Sequence, residues 1–303
     1  MSHTRDDAEP DCEPERPITP VLKSDSFGGR PVTAAVKRSF EEAGVNDPHV
    51  QALYYRFKPR DGVTYDNPSA LSVAQAAFNG ELRNNQFVAT MTQHFPTCNE
   101  ARVSVEAFLR SWEITAALQA GYQEFHFEFD RCEIVDRNPP PPGTIREHKV
   151  VMQGGITLSS DATVTVTRRA YPSGPPPFSV TPLVQMLWNR YARYVAGNEP
   201  LFSMAYFCLT ALERQCAGRR AAAATYQIDF AVLDKLGELS STRGGPTDAR
   251  KMTFAALTPA TASEQEWVKS AVRAIILQVG MVDGGGAGGG ARLTMATLPT
   301  MTV

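Results

Sequence analysis

The stretch from Thr181 to Asp283 constrains the fold more than any other part of the sequence. Its most apolar segment, residues 200–217, carries almost no polar side chain before Glu213. A helix that is apolar on all sides usually lies at the centre of a bundle. The apolar run from Leu201 to Leu212 is shorter than the ~20 residues that span a bilayer. We therefore predict a buried helix at residues 200–217, at the centre of a helical bundle.

Start and stop signals divide the rest of this stretch into further helices. Thr181, followed by proline, has the pattern of an N-cap, and Gly197 can end that helix in the left-handed conformation. Ser263 and Glu266 have the spacing of a capping box, which opens a long helix. Gly280 is the expected end of that helix. Several helices joined by short breaks predict an all-α bundle over the whole stretch.

The first half of the chain carries strand patterns instead. Phe125, Phe127 and Phe129 alternate with charged or polar residues, which is typical of a half-buried antiparallel strand. Other runs are rich in β-branched and aromatic side chains. Strands are predicted at residues 50–57, 86–93, 124–135, 149–152, 156–158 and 163–167.

Two helices are predicted among these strands. Residues 67–80 begin with Asn-Pro-Ser and end with Asn-Gly, which favours a short helix between two turns. Thr97 and Glu100 have capping-box spacing and open an amphipathic helix that ends before Gly121. The first half is therefore predicted to be α+β, with an antiparallel sheet.

Shifts in composition divide the chain into five segments. Residues 1–45 begin with an acidic, proline-rich leader that has too few apolar residues to order by itself. A proline-rich linker at 173–180 separates an α+β domain at 46–172 from the α-helical bundle at 181–283. Residues 284–303 begin with a run of glycines and are expected to form a flexible tail.

Charge and cysteine usage exclude several classes of protein. The formal net charge of −2 and the absence of a basic block argue against a general nucleic-acid-binding surface. The scattered cysteines include no C-x-x-C pair, which favours reduced thiols over a disulfide framework. A secretory signal and a membrane-spanning segment are both missing, so we expect a cytoplasmic protein without a membrane anchor. The cysteines are Cys12, Cys98, Cys132, Cys208 and Cys216.

Candidate metal ligands follow one predicted strand at two-residue spacing, which places neighbours on one face about 7 Å apart. They are Glu124, His126, Glu128, Asp130 and Cys132. A metal site normally adds a ligand from another element, and His148 is the candidate for that position. A solvated strand face explains the same pattern and is the more common arrangement. No catalytic residue is assigned, and no metal is predicted.

Two further patterns give no site. Gly284, Gly286 and Gly289 satisfy G-x-G-x-x-G, but a helix pattern precedes them where a dinucleotide site needs a strand. No cofactor is therefore predicted. The two-part architecture resembles ribonucleases built on HEPN bundles, which need an arginine and a histidine close together on one helix. All five histidines precede the helical half, so the bundle can at most be an inactive relative.

Three segments of the helical half resemble the MauJ-type methylamine utilisation proteins. They are residues 203–213 (SMAYFCLTALE), 226–244 (YQIDFAVLDKLGELSSTRG) and 266–269 (EWVK). That family is encoded among genes for making and using methylamine dehydrogenase, a quinoprotein with a tryptophan-derived cofactor. The resemblance implies a cytoplasmic accessory protein of methylamine degradation and one-carbon metabolism, acting with a protein partner. It implies no site residues.

Two alternative functions stay open. One is an inactive HEPN-like module of nucleic-acid binding or defence. The other is a metal-dependent enzyme that uses the strand face at residues 124–132.

Overall fold

The computed structural model describes five parts of the 303-residue chain, which are residues 47–138, 149–152, 166–244, 258–285 and 291–301. Several predictions fall outside these residues: the leader at 1–45, the candidate ligand His148, the strand at 156–158 and most of the strand at 163–167. Residues Val45–Val303 form one compact unit.

An antiparallel sheet of six strands dominates the first half, and its strand order is β3-β4-β5-β1-β6-β7. The strands are β1 (Pro48–Pro59), β3 (Leu71–Ala74), β4 (Phe78–Arg83), β5 (Gln86–Met91), β6 (Phe125–Asp136) and β7 (Lys149–Met152). A separate parallel pair joins β2 (Val63–Tyr65) to β8 (Val166–Arg168). With the helices that follow, the α+β class predicted from the sequence is confirmed.

Strands β3 and β4 form a hairpin where a helix was predicted, so the prediction for residues 67–80 is wrong. Phe78, Gly80 and Leu82 are buried and alternate with exposed residues, which is the period of a strand. Gly80 lies against the ring of Phe87, which leaves no room for a side chain at that position. Turn residues at both ends of the segment suit a hairpin as well as a helix, and the period-two burial decides between them.

Helix α1 (Cys98–Ala120) crosses the sheet and begins and ends as predicted. The Thr97 hydroxyl accepts a hydrogen bond from the Glu100 amide at 3.3 Å, and Gly121 closes the helix with a φ of 85°. Buried side chains from α1 and the sheet form what we call the sheet core. Its large aromatic members are Tyr55, Phe57, Phe78, Phe87, Trp112 and Phe125, together with Tyr171 from the segment after β8.

Five more helices follow within the described residues. They are α2 (Pro182–Val195), α3 (Leu201–Gln215), α4 (Arg219–Thr225), α5 (Phe230–Thr242) and α6 (Ala262–Asp283). Helix α3 contacts α2, α4, α5 and α6, and its Met204, Cys208 and Leu212 are fully buried. The cluster that these five helices share is called the helix core, and it also includes Ile114, Ala117 and Leu118 of α1.

None of the helices in the described parts of the chain has the length and apolarity that a bilayer crossing requires.

The start of α6 differs from the prediction by two residues. The capping box is formed by Thr261 and Glu264, and the pair predicted from Ser263 and Glu266 is wrong. Both pairs have the same spacing, but only Thr261 has the extended backbone that an N-cap needs, with φ −70° and ψ 161°.

Gly280 lies inside α6, which continues to Asp283, so the predicted end at Gly280 is wrong. The ring of Phe178 packs directly on Gly280 and fills the space of a side chain. The amide of Ser179 donates a hydrogen bond to the Gly280 carbonyl at 2.8 Å. This glycine therefore allows the segment before α2 to cross α6 closely.

The C-terminal residues pack on the helix core, so the prediction of a flexible tail is wrong for residues 291–301. Leu293 and Leu298 are buried in that core. The Leu293 carbonyl accepts a hydrogen bond from the Asp229 amide at 2.8 Å, and the Arg292 guanidinium pairs with the Asp229 carboxylate at 2.6 Å. Two isolated leucines give no periodic signal, which is why composition alone suggested a linker.

Candidate functional site

The predicted ligand face on β6 carries ion pairs. Glu128 pairs with Arg56 at 3.6 Å and with Lys58 at 3.7 Å on the neighbouring strand. Asp130 pairs with Arg56 at 3.6 Å and with Arg131 at 3.0 Å. Cross-strand pairs of opposite charge are typical of the solvated face of a sheet. The carboxylates of Glu128 and Asp130 therefore form ion pairs with these cations.

Cys132 does not share that face, so its predicted position is wrong. Phe129 and Arg131 pair with adjacent residues of β1, which leaves Asp130 as an extra residue in β6. This β-bulge reverses the alternation of inward and outward side chains along β6, because two consecutive residues now point outward. Cys132 consequently lies fully buried in the sheet core. Within the described residues, no group of three or more His, Cys, Asp or Glu side chains is arranged to hold a metal ion.

His126, the remaining candidate on β6, lines a groove of about 440 Å³ between the end of the sheet and α2. We call it the junction groove. One wall is polar and aromatic, and the opposite wall is mainly apolar. The polar wall includes Arg60, Asp61, Tyr122, Gln123 and His126, and the wall from α2 is formed by Trp188, Ala192, Val195 and Ala196.

The turn after β1 and the loop after α1 together hold the polar wall. Gly62, with a φ of 81°, allows the turn that follows Arg60. The Arg60 amide donates a hydrogen bond to the Glu124 carbonyl at 2.7 Å, which joins the turn to the loop. The Arg60 guanidinium lies over the ring of Tyr122, 5.1 Å from its centroid. The Tyr122 ring thus holds the Arg60 side chain at the groove.

An ion pair between buried Glu124 and partly exposed Arg168 fixes the loop below this wall. The Glu124 carboxylate is buried and accepts a hydrogen bond from Arg168, which also donates to the Tyr122 hydroxyl at 3.2 Å. The hydroxyl of Tyr65 is buried nearby and has no hydrogen-bond partner among the described residues. Burial, followed by the negative charge of Glu124, raises the pKa of Tyr65 to about 12. Tyr65 therefore remains neutral at physiological pH.

A second groove, of about 370 Å³, lies between the loop after α1, the end of α2 and α6. We call it the α6 groove. Tyr191, Tyr194 and Val195 line it from α2, and Lys269 and Arg273 line it from α6. Val195 lines both grooves and is 41% exposed. It forms an apolar lip between them.

The lysine and the two arginines that line the grooves differ in their partners. Lys269 pairs with Glu266 at 3.6 Å. Arg273 donates a hydrogen bond to the Ser270 hydroxyl at 3.4 Å. Neither Arg273 nor Arg60 pairs with a carboxylate in the part of the chain that the structure describes. Both guanidinium groups can therefore bind an acidic group from another molecule.

The composition of the two grooves suits binding. Tyrosine, tryptophan and arginine are enriched at the centres of protein interfaces, where they account for much of the binding energy. Among the described residues that line either groove there is no serine, threonine or cysteine. These walls thus supply aromatic surface, an apolar lip and the guanidinium groups of Arg60 and Arg273, with the carboxylates of Asp61 and Glu266 also in the lining.

Comparison with protein-family models, with curated proteins and with solved structures gives no match.

Sequence reasoning missed most residues of these grooves. Arg60, Tyr122, Val195 and Arg273 come from four separate segments, and none belongs to a motif. The sequence did carry one signal for this surface. Val195 is apolar and follows the last residues of the buried stripe on α2.

A pair of histidines lies at the start of β1, away from the grooves. The rings of His49 and His94 stack 5.4 Å apart, and the His94 Nε2 atom is 3.6 Å from the Asp47 carboxylate. Burial, then the positive charge of Arg137, lowers the pKa of His49 below its ordinary value of 6.5. His49 therefore favours the neutral state in the folded protein.

We expect the melting temperature to fall as the pH falls through 6.5, partly because of His49. With a folded-state pKa below the unfolded one, the native state binds fewer protons. The stability that this confers is present above the unfolded pKa and is lost on acidification. His49→Gln should reduce the slope of melting temperature against pH between about pH 5 and pH 7. A slope in His49→Gln equal to that of the wild type would contradict the assignment.

Proposed function

We propose that this protein is a non-catalytic, cytoplasmic accessory protein of methylamine utilisation that acts by binding a protein partner. The resemblance at residues 203–213, 226–244 and 266–269 supports the metabolic context. The exposed lip at Val195, with Arg60 and Arg273 in the grooves on either side, supports action through contacts. This lip is the observation on which the proposal rests.

The chemistry of the lip defines the segment that would bind there. A partner side chain packed on Val195 and Trp188 must be apolar, because the wall from α2 offers few polar atoms. Carboxylates on the same segment would reach Arg60 on one side and Arg273 on the other. An arginine held on a ring is already oriented, so it loses less conformational freedom on binding. The proposed partner segment is therefore apolar at its centre and acidic at its ends.

We propose that residues 181–283 form an all-α bundle that presents this surface. The contacts of α3 with four other helices support this interpretation. Val195 lies at the end of α2 and Arg273 lies within α6, so the bundle fixes the distance between them.

The first experiment is deletion of the gene in a bacterium that carries it and grows on methylamine. We expect slower growth on methylamine and lower methylamine dehydrogenase activity, with normal growth on a multicarbon substrate. The wild-type gene should restore both. Unchanged growth on methylamine, with normal dehydrogenase level and activity, would refute the proposal.

Variants of the lip test whether the protein acts through this surface. Val195→Glu places a negative charge on the apolar lip, and Arg60→Glu reverses the charge beside it, so neither variant should restore growth. Val103→Glu is the matched control, because Val103 is 72% exposed on α1 and lines neither groove. It should restore growth fully. Protein levels are compared by immunoblot, so that an unstable variant is recognised.

The metal-dependent alternative has less support than the sequence pattern gave it. Its ligand face is divided by the bulge at Asp130, and Glu128 is paired with Arg56 and Lys58. The HEPN-like alternative stays a prediction from the sequence.

A further inference from the structure

Two cysteines that are far apart in the sequence are neighbours in the structure. Cys98 is the first residue of α1 and is partly buried, and Cys132 lies fully buried in β6. Cys98 packs against the sheet core that contains Cys132. Arg102, one turn further along α1, lies over the ring of Phe129, and Cys132 is the next side chain of β6 that enters this core. The bulge at Asp130 produces this arrangement, because it turns Cys132 inward beneath the start of α1.

The partly exposed member of the pair has a polar environment. Arg102 lies one turn further along the same face of α1, with its guanidinium 4.3 Å from the centroid of the Phe129 ring. The Arg102 side chain also donates a hydrogen bond to Glu106 at 2.7 Å. Cys98 thus lies at the amino-terminal end of α1, one turn from Arg102.

A buried hydroxyl completes this environment. Tyr55 is 2% exposed, and its hydroxyl makes no hydrogen bond within the described residues. Tyr55 belongs to the sheet core, against which Cys98 packs. Burial raises the pKa of Tyr55, so the group remains a neutral O–H donor. An unused donor in a sheet core is costly, and an oxygen atom arriving at Cys98 would supply an acceptor.

We propose that Cys98 and Cys132 form a dithiol that hydrogen peroxide oxidises reversibly to a disulfide. The Cys98 thiolate attacks one peroxide oxygen, the O–O bond breaks, and the released hydroxide takes a proton to form water. The Cys132 sulfur then attacks the sulfenic sulfur of Cys98, and the thiol proton leaves with the hydroxyl group as a second water. The two thiols and one peroxide thus give one disulfide and two waters.

Exposure assigns the roles of the two thiols. Cys98 can meet peroxide, because it is partly exposed. Burial raises the pKa of Cys132, so it reacts only after Cys98 has become electrophilic. The disulfide would join the first residue of α1 to β6. Reduced thiols remain the resting state expected in a cytoplasm.

The test begins with the full-length protein, reduced and then freed of reductant. A slight molar excess of hydrogen peroxide should remove two free thiols per chain, measured with a thiol-reactive dye after unfolding. Proteolysis without reductant should give a peptide in which Cys98 is linked to Cys132, and dithiothreitol should restore both thiols. A Cys98 that is oxidised without a link, or is linked to another cysteine or chain, would overturn the proposal.

Variants test the order of the two steps. Cys98→Ser should leave Cys132 reduced in peroxide. Cys132→Ala should stop the reaction at a sulfenic acid on Cys98, which dimedone captures. Cys216→Ser is the control, because Cys216 is also a partly exposed free thiol, and it should form the same linked peptide as the wild type.

Folding of each variant is checked by circular dichroism under reducing conditions. If Cys132→Ala does not fold, Cys132→Val fills the same buried site and serves in its place. Equal loss of the Cys132 thiol in the wild type and in folded Cys98→Ser would overturn the assigned order.

Discussion

Replacing Trp112 with alanine is expected to lower the free energy of unfolding by about 3–5 kcal/mol. Trp112 is fully buried, at the point where α1 lies on the sheet. Its indole packs against the rings of Phe87, Phe108, Phe125 and Phe127. Alanine removes these contacts and leaves a cavity that rings fixed on two strands cannot close.

Urea unfolding of the purified protein, followed by circular dichroism, measures this effect. Val103→Ala is the control on the same helix, because Val103 is 72% exposed. It should change the unfolding free energy by less than about 0.5 kcal/mol. A loss below about 1 kcal/mol in Trp112→Ala would contradict the proposed role of this side chain.

Gly280→Ala should destabilise the protein by about 1–3 kcal/mol, although alanine normally stabilises a helix interior relative to glycine. The added methyl group would overlap the ring of Phe178, which packs directly on Gly280. Phe178 has little freedom to move, because its carbonyl accepts a hydrogen bond from Ser111 at 3.1 Å and the next amide donates to Gly280. The cost is therefore an overpacked crossing between α6 and the segment before α2.

A double-mutant cycle isolates that contact. In the background of Phe178→Ala, where the ring is absent, Gly280→Ala should cost nothing or stabilise. Gly237→Ala in α5 is the control, since the three atoms nearest that position belong to the guanidinium of Arg219, at the end of a flexible side chain. It should be neutral or stabilising. If Gly280→Ala changes the unfolding free energy equally with and without the Phe178 ring, overlap with that ring is not the cause of the change.

Local signals in the sequence predicted most helices and several strands. Thr97 and Gly121 bound α1 because an N-cap oxygen and a left-handed residue act within one turn of the chain. Thr181 opens α2 in the same way. The apolar segment at 201–212 became the buried α3, which contacts four other helices. These features depend on neighbours in the sequence, so they can be inferred without a structure.

Errors arose where two local interpretations competed or where a distant residue decided the outcome. The segment at 67–80 carries turn residues that suit both a helix and a hairpin. A glycine late in a helical pattern suggests the end of the helix. At position 280 the glycine instead makes room for the ring of Phe178, which comes from another segment. The bulge at Asp130 is set by the pairing register between β6 and β1, and the sequence of β6 alone does not determine that register.

The candidate sites were the least predictable feature. The lip at Val195 has meaning only beside Arg60 and Arg273, which come from the sheet end and from α6. Cys98 and Cys132 likewise meet only once β6 has folded beneath α1. Such groupings depend on contacts between distant segments, which neither composition nor spacing reveals.

Helix α1 has a consequence for how the molecule melts. It places Trp112 in the sheet core and Ile114 in the helix core, so its opposite sides are covered by different halves of the chain. Opening either half strips one side of the same helix and exposes its apolar surface to water. Neither half can be lost on heating without weakening the other, and calorimetry of residues 45–303 should record a single cooperative peak.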